Sequence, residues 1–558
     1  MIHSSKSTDL ESTARLIGRA RKLLAYGGLD GVLQRPLLDH DGNPFPHFAV
    51  SAEGCRIVDS TGRQLIDWVN GWGPVLLGYR NSEVEQAIAD QLKAGPTLSL
   101  MNPVEIQVAE LIEELVPCAE MVAFGKNGSD SVTAALRIAR AATKRDVILQ
   151  FGFHGFHEWY TCLHPQVQGL TPGLKEYVDT FEYNDINGLE ALFQKYPQRV
   201  AAVIMEPVNM WMPEPGYLQA LRELTHAHGA LLIFDEMVTA FRVAPGGAQE
   251  LFGVQPDLAC LGKGMANGMP LSAVVGARNL MQLLPSCGFG MTFRGETLSL
   301  AAAKATLETI RDQPVCEHLC SIGQQLRTGV DALCEELGVK CELSGPDARM
   351  TFVFHDQGAL GWSDARAIFL QECLQCGVLT NGNLLPNWAH DQQAVEETLA
   401  VFRKAFMKVV SCVKESSSSD PIPVGGFMFG LKALRVIGFV EQIDFDQERS
   451  TVSVAGWVLL DSGAPDAIEL HSDCTDVITR ADQVERPDLV SGFPDRENVD
   501  KAGFYAEISR ADYESEKFCR FTIKAIKDGD VVWQCIVEFQ GRVEATGPWP
   551  VTDGVLYL

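Results

Sequence analysis

Two periodicities share the first three-quarters of the chain. From about residue 80, short continuous apolar runs (MVAF, VILQF, VAAVIMEP, ALLIFDE) alternate with segments whose apolar residues recur every three or four positions (VEIQVAELIEELV, SVTAALRIARAA, YLQALRELTHAHG). Continuous apolar strands separated by helices predict a mainly parallel sheet with helices on both faces. Ahead of it, residues 48–67 alternate between apolar and polar, with turns at Glu53-Gly54 and from Ser60 to Gly62, and predict a small antiparallel meander. Residues 11–24 form a short basic amphipathic pattern, read as an arm that packs on a subunit or domain surface. Residues 315–413 mix helical patterns with strands such as MTFVFH and GVLT, as a second α+β lobe does.

The period then changes. KESSSSDPIP, at 414–423, is polar, Ser-rich and Pro-punctuated, a linker by composition. After it LRVIGFVEQIDFD, TVSVAGWVLL, AIELHSD, GFYAEISR, KFCRFTIKAI and VVWQCIVEFQ alternate with period two between Gly, Asp and Pro turns, and predict a β-sandwich able to fold alone. The expected organisation is an α/β unit at 1–413, with its large domain at about 80–310 and a small lobe from about 40–79 and 315–413. A linker at 414–427 and an all-β unit at 428–558 complete it.

Composition narrows the function classes. With 558 residues, 46% of them hydrophobic, the chain can bury at least one large core. Its net charge is −26, and the first 420 residues and the remainder are both acidic. Such a surface repels phosphate backbones and anionic lipid, so neither nucleic acid nor a membrane is an expected partner. Fifteen cysteines are scattered without framework spacing, the start of the chain lacks a continuous apolar segment, and no apolar run reaches 18 residues. These features lead to an expectation of reduced thiols in the cytoplasm.

Candidate chemistry concentrates at strand ends. Asp235 closes the run ALLIFDE, at the carboxyl edge where open α/β sheets place their ligands. Lys263 closes a second apolar run 28 residues later, between Gly262 and Gly264, where a lysine with few packing partners could titrate low enough to form a Schiff base. A carboxylate on the same edge suits a pyridinium nitrogen. Lys126-Asn127-Gly128-Ser129-Asp130 lies between a strand and a helix, so backbone N–H groups there and the Ser129 hydroxyl suit a phosphate dianion. Phe153-His154-Gly155 follows VILQF and offers an aromatic face to a pyridine ring. Together these pieces specify a pyridoxal 5'-phosphate site.

Each piece also has a plainer reading. Asp235 alone reads as a helix N-cap and Lys263 alone as a loop lysine, while LGKG lacks the spacing of a Walker A loop. Asn127-Gly128-Ser129 matches a glycosylation acceptor, which a cytosolic setting makes irrelevant. His154 reads better as a hydrogen-bonding wall residue than as a general base. Cys373 and Cys376 have no second pair nearby to complete a metal or redox site.

At these residues the chain resembles the class III (fold type I) pyridoxal-phosphate aminotransferases, most closely their glutamate-1-semialdehyde 2,1-aminomutase branch. The likeness covers about residues 40–405 and is dense in GWGPVLLGYRNSEV, MEPV and FRVAPGGAQELFGVQPDLACLGKG. It implies that Lys263 is the Schiff-base lysine, Asp235 the pyridine-nitrogen partner, Gly128 and Ser129 part of the phosphate loop, and Phe153 the stacking aromatic. It also puts Met237 behind the ring, where Val is commoner, and Glu206 near the cofactor. Thr292 matches the threonine that reaches the phosphate from a neighbouring subunit, which implies a homodimer with shared sites.

The departures fall on the substrate side. The N-terminal stretch offers only Arg35 for a substrate carboxylate, the phosphate loop reads KNGSD, GETLS replaces a Gly-Asn-Pro type turn, and GNLLPNWAH replaces a Phe-Glu-rich strand. The C-terminal region is similar to β-sandwich modules appended to bacterial glycan-pathway glycosyltransferases, with Trp457, Trp533 and Trp549 as candidate sugar contacts or core residues. The expected function is transfer of an amino group from an amino-acid donor to an aldehyde or ketone, in glycan or specialised-metabolite synthesis. The alternatives are an aminomutase acting within one molecule and a non-catalytic glycan-pathway scaffold.

Overall fold

The computed structural model describes residues 13–24, 48–164, 167–358 and 360–416, together with ten strand segments between 436 and 557. Its centre is a seven-stranded sheet built from the apolar runs above. In spatial order the strands are Met121–Gly125, Ser272–Gly276, Leu258–Leu261, Leu231–Asp235, Val200–Met205, Val147–Phe151 and Val178–Thr180. Six run parallel, and Ser272–Gly276 is antiparallel to both neighbours. All residues of Val200–Met205, Leu258–Leu261 and Ser272–Gly276 are buried, as strands covered on both faces must be.

The covering helices follow from capping as well as periodicity. Pro103–Leu115 starts with Asn102 as N-cap and Pro103 at its first position, and buries Val104, Val108, Leu111 and Ile112 against one sheet face. Gly128–Thr143 buries Val132, Leu136 and Ile138 among side chains that include Ile148, Ile204 and Ile233. Leu221 of Tyr217–Ala227 packs with Leu232 and Phe234.

The meander appears as Ala49–Glu53, Arg56–Asp59 and Gln64–Asp67, extended by Val378–Leu379 running parallel to the last of these. Early and late parts of the chain therefore share one sheet. A three-stranded antiparallel sheet of Cys341–Ser344, Met350–Phe354 and Asn383–Leu384 adjoins helices Val315–Leu337 and Gln392–Ser416 in sequence. Phe352, Phe369, Phe402 and Phe406 stack around one another there, with centroids 4.7–6.5 Å apart.

The segment between these sheets is backbone-strained. Asn70, Gly71, Trp72 and Gly73 all have positive φ, from 52° to 94°, two of them without the freedom of glycine. The strain is held by buried polar bonds. Asn387 Nδ2 donates to Asn70 Oδ1 at 2.8 Å, Asn70 Nδ2 donates to the Leu385 carbonyl at 2.5 Å, and His390 stacks on Trp68 at 3.8 Å. Burial pushes the His390 imidazole down to about 3, so the stack is neutral. Asn387 and His390 of GNLLPNWAH thus lock the fold.

The chain divides into two units, Met1–Leu360 with Ile368–Ser417, and Gly361–Ala367 with Ser418–Leu558. The described segments after residue 435 are strands in two five-stranded sheets, mostly antiparallel. The residues of the expected linker from 417 on, the stretch containing Arg35, and the side chains of Trp457, Trp533 and Trp549 lie outside the described residues. Among the described residues no helix is long and apolar enough to cross a membrane, and no group of three or more His, Cys, Asp or Glu could hold a metal ion.

Candidate active site

The site is assembled at the carboxyl ends of neighbouring strands. Asp235 and Cys260 are register partners, so Asp235 and Lys263, three residues past Cys260, emerge side by side. Asp235 is buried, and both its oxygens are occupied. Oδ1 accepts the Met237 N–H at 3.1 Å, and Oδ2 lies 2.8 Å from His154 Nδ1. The other ring nitrogen of His154 lies 3.0 Å from the Phe151 carbonyl, an obligate acceptor. Both ring nitrogens of His154 therefore lie against protein oxygens, and the ring braces Asp235.

Lys263 follows Gly262 and opens a short 3-10 turn, Lys263–Ala266, with φ of +43°. A lysine in left-handed backbone is a strained residue of the sort that functional sites retain. Burial is the main reason its amine is pushed down to about 8. The Arg349 and Arg242 guanidiniums push the same way, and Glu206 and Asp235 oppose them. At pH 7 about a tenth of such an amine is free base, against well under a thousandth for an ordinary lysine.

The helix Gly128–Thr143 points its N-terminus into the same region. Asp130 accepts the N–H groups of Asn127 at 2.7 Å and Lys126 at 3.1 Å, and Ser272 Oγ donates to the Asn127 carbonyl at 2.7 Å. Lys126 Nζ pairs with Glu296 Oε2 at 2.9 Å, tying this loop to the segment that carries Thr292. Glycines make the close approaches. A Cβ on Gly155 would lie 2.0 Å from Ser129 Oγ, and one on Gly262 would lie 2.7 Å from Met237 Sδ. Met237 packs over Gly128 as well, at a would-be Cβ distance of 3.0 Å.

Phe153 is 53% exposed and meets Tyr160 edge-on at 5.6 Å. Its N–H donates to Glu206 Oε2 at 3.1 Å, and Asn209 Nδ2 donates to the same oxygen at 2.6 Å. Glu206 therefore positions the Phe153 backbone. Thr292 is exposed on this chain. Two buried or nearly buried arginines have no counterpart in the sequence reading. Arg242, 1% exposed, donates to the carbonyls of Gly73, Pro386 and Ala348 at 2.9, 2.8 and 3.3 Å. Arg349 reaches Val208, Asn209 and Glu206 from the turn just before strand Met350–Phe354. Nothing local to FRVAPGG or PDARM marks either one.

These residues fit pyridoxal phosphate. A helix N-terminus with the Ser129 hydroxyl beside it suits the phosphate, the buried carboxylate of Asp235 suits the ring nitrogen, and a lowered lysine amine suits the aldehyde.

Comparison with known proteins agrees. The family described as aminotransferase class-III matches residues 37–341. A glutamate-1-semialdehyde 2,1-aminomutase from Methanothrix thermoacetophila is 34% identical over 440 residues, covering 73% of this chain and all of that protein. A 3-aminobutyryl-CoA aminotransferase from Cloacimonas acidaminovorans is 36% identical over 332 residues, 58% of this chain and 79% of its own length. Among solved structures, the FumI protein of Sphingopyxis sp. MTA144, in its PLP internal aldimine form, superposes with a TM-score of 0.67 at 30% identity, over 73% of this chain and 98% of that one. The chain belongs to the class III aminotransferases. It is a pyridoxal phosphate-dependent enzyme, with aminotransferases and aminomutases among its relatives.

Proposed function

We propose that this enzyme transfers an amino group from an amino-acid donor to a separate aldehyde or ketone, in glycan or specialised-metabolite synthesis in the cytoplasm. The observation that carries the transfer chemistry is the pairing of Lys263, its amine lowered to about 8, with buried Asp235 at adjacent strand ends. The cofactor, when bound, supplies an electron sink for the electron pair left at the substrate Cα. Lys263 Nζ would hold the cofactor through its aldehyde and, once the donor amine has taken its place, would carry the Cα proton. Asp235, fixed by His154, holds the proton on the ring nitrogen. Asn127, Gly128 and Ser129 receive the phosphate, Phe153 and Met237 flank the ring, and Glu206 sets the Phe153 backbone.

Thr292 completes the phosphate site of a second copy. A homodimer is supported by the apolar side chains exposed near it: Leu98, Leu100, Met101 and Phe293 are 45–85% exposed, and Thr297 bonds the Gly95 and Pro96 carbonyls to join their two segments. Residues 1–413 form the catalytic part, 414–427 the linker, and 428–558 a β-sandwich that docks on glycan or stabilises the dimer.

The test is the visible absorption of the purified protein before and after adding L-glutamate without an acceptor. Bleaching with stoichiometric 2-oxoglutarate is expected. A band that L-glutamate and other amino acids leave unmoved, while a diamino acid bleaches it, favours the aminomutase reading.

A further inference from the structure

Two departures from the class III pattern meet beside the phosphate loop. Lys126 belongs to KNGSD and Glu296 to GETLS, 170 residues apart. The fold makes them partners. Lys126 Nζ lies 2.9 Å from Glu296 Oε2, and the two side chains are 14% and 16% exposed. A charge taken that far out of water is costly unless its partner stays in place.

Each end of the pair is anchored. Glu296 is the N-cap of helix Thr297–Asp312. Its Oε1 accepts the Leu298 N–H at 2.5 Å, and Oε2 accepts the Ser299 N–H at 3.2 Å and the Ser299 hydroxyl at 2.7 Å. Burial pushes the Glu296 carboxyl up, but the bonds from Ser299, Lys126 and the Leu298 N–H outweigh it and hold the group below the usual carboxylate range. The contact with Lys126 is therefore ionic. At the other end, the Lys126 N–H donates to Asp130 Oδ2 at 3.1 Å, just ahead of Gly128 and Ser129. Ser129 Oγ accepts the Phe156 N–H at 3.2 Å, so its hydroxyl keeps a proton to offer an anion.

Asp130 and Ser272 hold the loop to its own helix and to strand Ser272–Gly276. Neither sets the distance between the loop and the 291–299 segment, and the ion pair does. That segment turns back through the Glu296 N–H, which donates to the Phe293 carbonyl at 3.1 Å. We propose that Lys126 and Glu296 are positioning residues for the cofactor phosphate. Their pair fixes the 126–130 loop against the cap of helix Thr297–Asp312, so that the phosphate meets a preset cradle. The proposal rests on the cofactor reading above and adds two residues that act on the phosphate through the loop. Asp235 is held separately, by the Met237 N–H and His154, so the pair acts on the phosphate end of the cofactor.

The experiment compares pyridoxal phosphate with pyridoxal, which lacks the phosphate. Dissociation constants from the cofactor-free protein are measured by equilibrium dialysis for wild type, Lys126→Met, Lys126→Arg, Glu296→Gln and the double variant Lys126→Met/Glu296→Gln. Loss of the pair should weaken pyridoxal phosphate binding about 10-fold in Lys126→Met, as misplacement of a binding loop does. Pyridoxal affinity should stay within about twofold, because its contacts do not include the loop. Lys126→Arg keeps the charge and the reach, and should recover most of the affinity. The double variant should bind no more weakly than Lys126→Met alone, since both changes remove one pair.

Equal affinity for pyridoxal phosphate in wild type and Lys126→Met overturns the proposal. An equal loss for both ligands marks a purely structural tie and overturns it too, as does a double variant that shows the sum of two independent losses. If Lys126→Met does not fold, Glu296→Gln carries the test, because its amide oxygen can still cap the helix. A wild type that binds neither ligand counts against the cofactor reading instead. Inorganic phosphate, titrated by calorimetry into wild type and Lys126→Met, then decides on the pair. Binding about 10-fold weaker in the variant supports it. Equal binding, or none to wild type, overturns it.

Discussion

The strand-end cluster around Lys263 and the arginine contacts that join distant segments are built by different means. The cofactor side is local. Asp235, Lys263, the 126–130 loop and Phe153-His154-Gly155 each follow or end an apolar strand of one sheet, and hydrogen bonds among their neighbours hold them. The arginine contacts form a clamp between distant segments. Arg242 joins carbonyls 106 to 169 residues away, and Arg349 reaches back 141 to 143 residues to Val208 and Glu206.

Variants separate the two sides, and the largest effect belongs to the cofactor side. Lys263→Ala should lower turnover by about 10⁴-fold or more with any donor, because nucleophile and proton carrier vanish together. Single-turnover assays of the purified variant check it, and near-wild-type rates would sink the assignment. Arg242→Leu attacks the clamp. Three carbonyls lose a charged donor in a buried place, so stability should fall by about 3 kcal/mol in urea unfolding.

Gly155→Ala returns to the cofactor side with a subtler change. The added Cβ would overlap Ser129 Oγ, and φ at Gly155 is +92°. Affinity for pyridoxal phosphate, measured by equilibrium dialysis, should fall by about 10- to 100-fold. The smallest effect is one of pH. Capture of the aldehyde needs the free amine, and the folded lysine titrates near 8, below its usual value of 10.5. The rate at which cofactor-free protein regains its visible band should therefore rise with pH and level off above about 8. A continued rise toward pH 10 would indicate an ordinary lysine.

The same contrast governs what could be read from the sequence. A lysine between glycines after an apolar run, or an Asn-Gly-Ser between strand and helix, carries its environment in its neighbours. So does the alternation that marks Val200–Met205 and Tyr217–Ala227. The insertion of antiparallel Ser272–Gly276 between Met121–Gly125 and Leu258–Leu261 has no local marker, because strand order is decided by tertiary pairing. Arg349 in PDARM and Arg242 in FRVAP look like surface arginines until the fold closes over them. GNLLPNWAH reads as a substrate-facing departure, yet Asn387 and His390 hold strained backbone at Asn70 and stack on Trp68. Their unusual identity reflects packing.

The most direct test of the cofactor side is borohydride reduction of the cofactor-loaded protein followed by peptide mass mapping. A single pyridoxyl label on Lys263 is the expected result. A label on another lysine, or a protein that takes up cofactor without any reducible bond to lysine, would contradict the account.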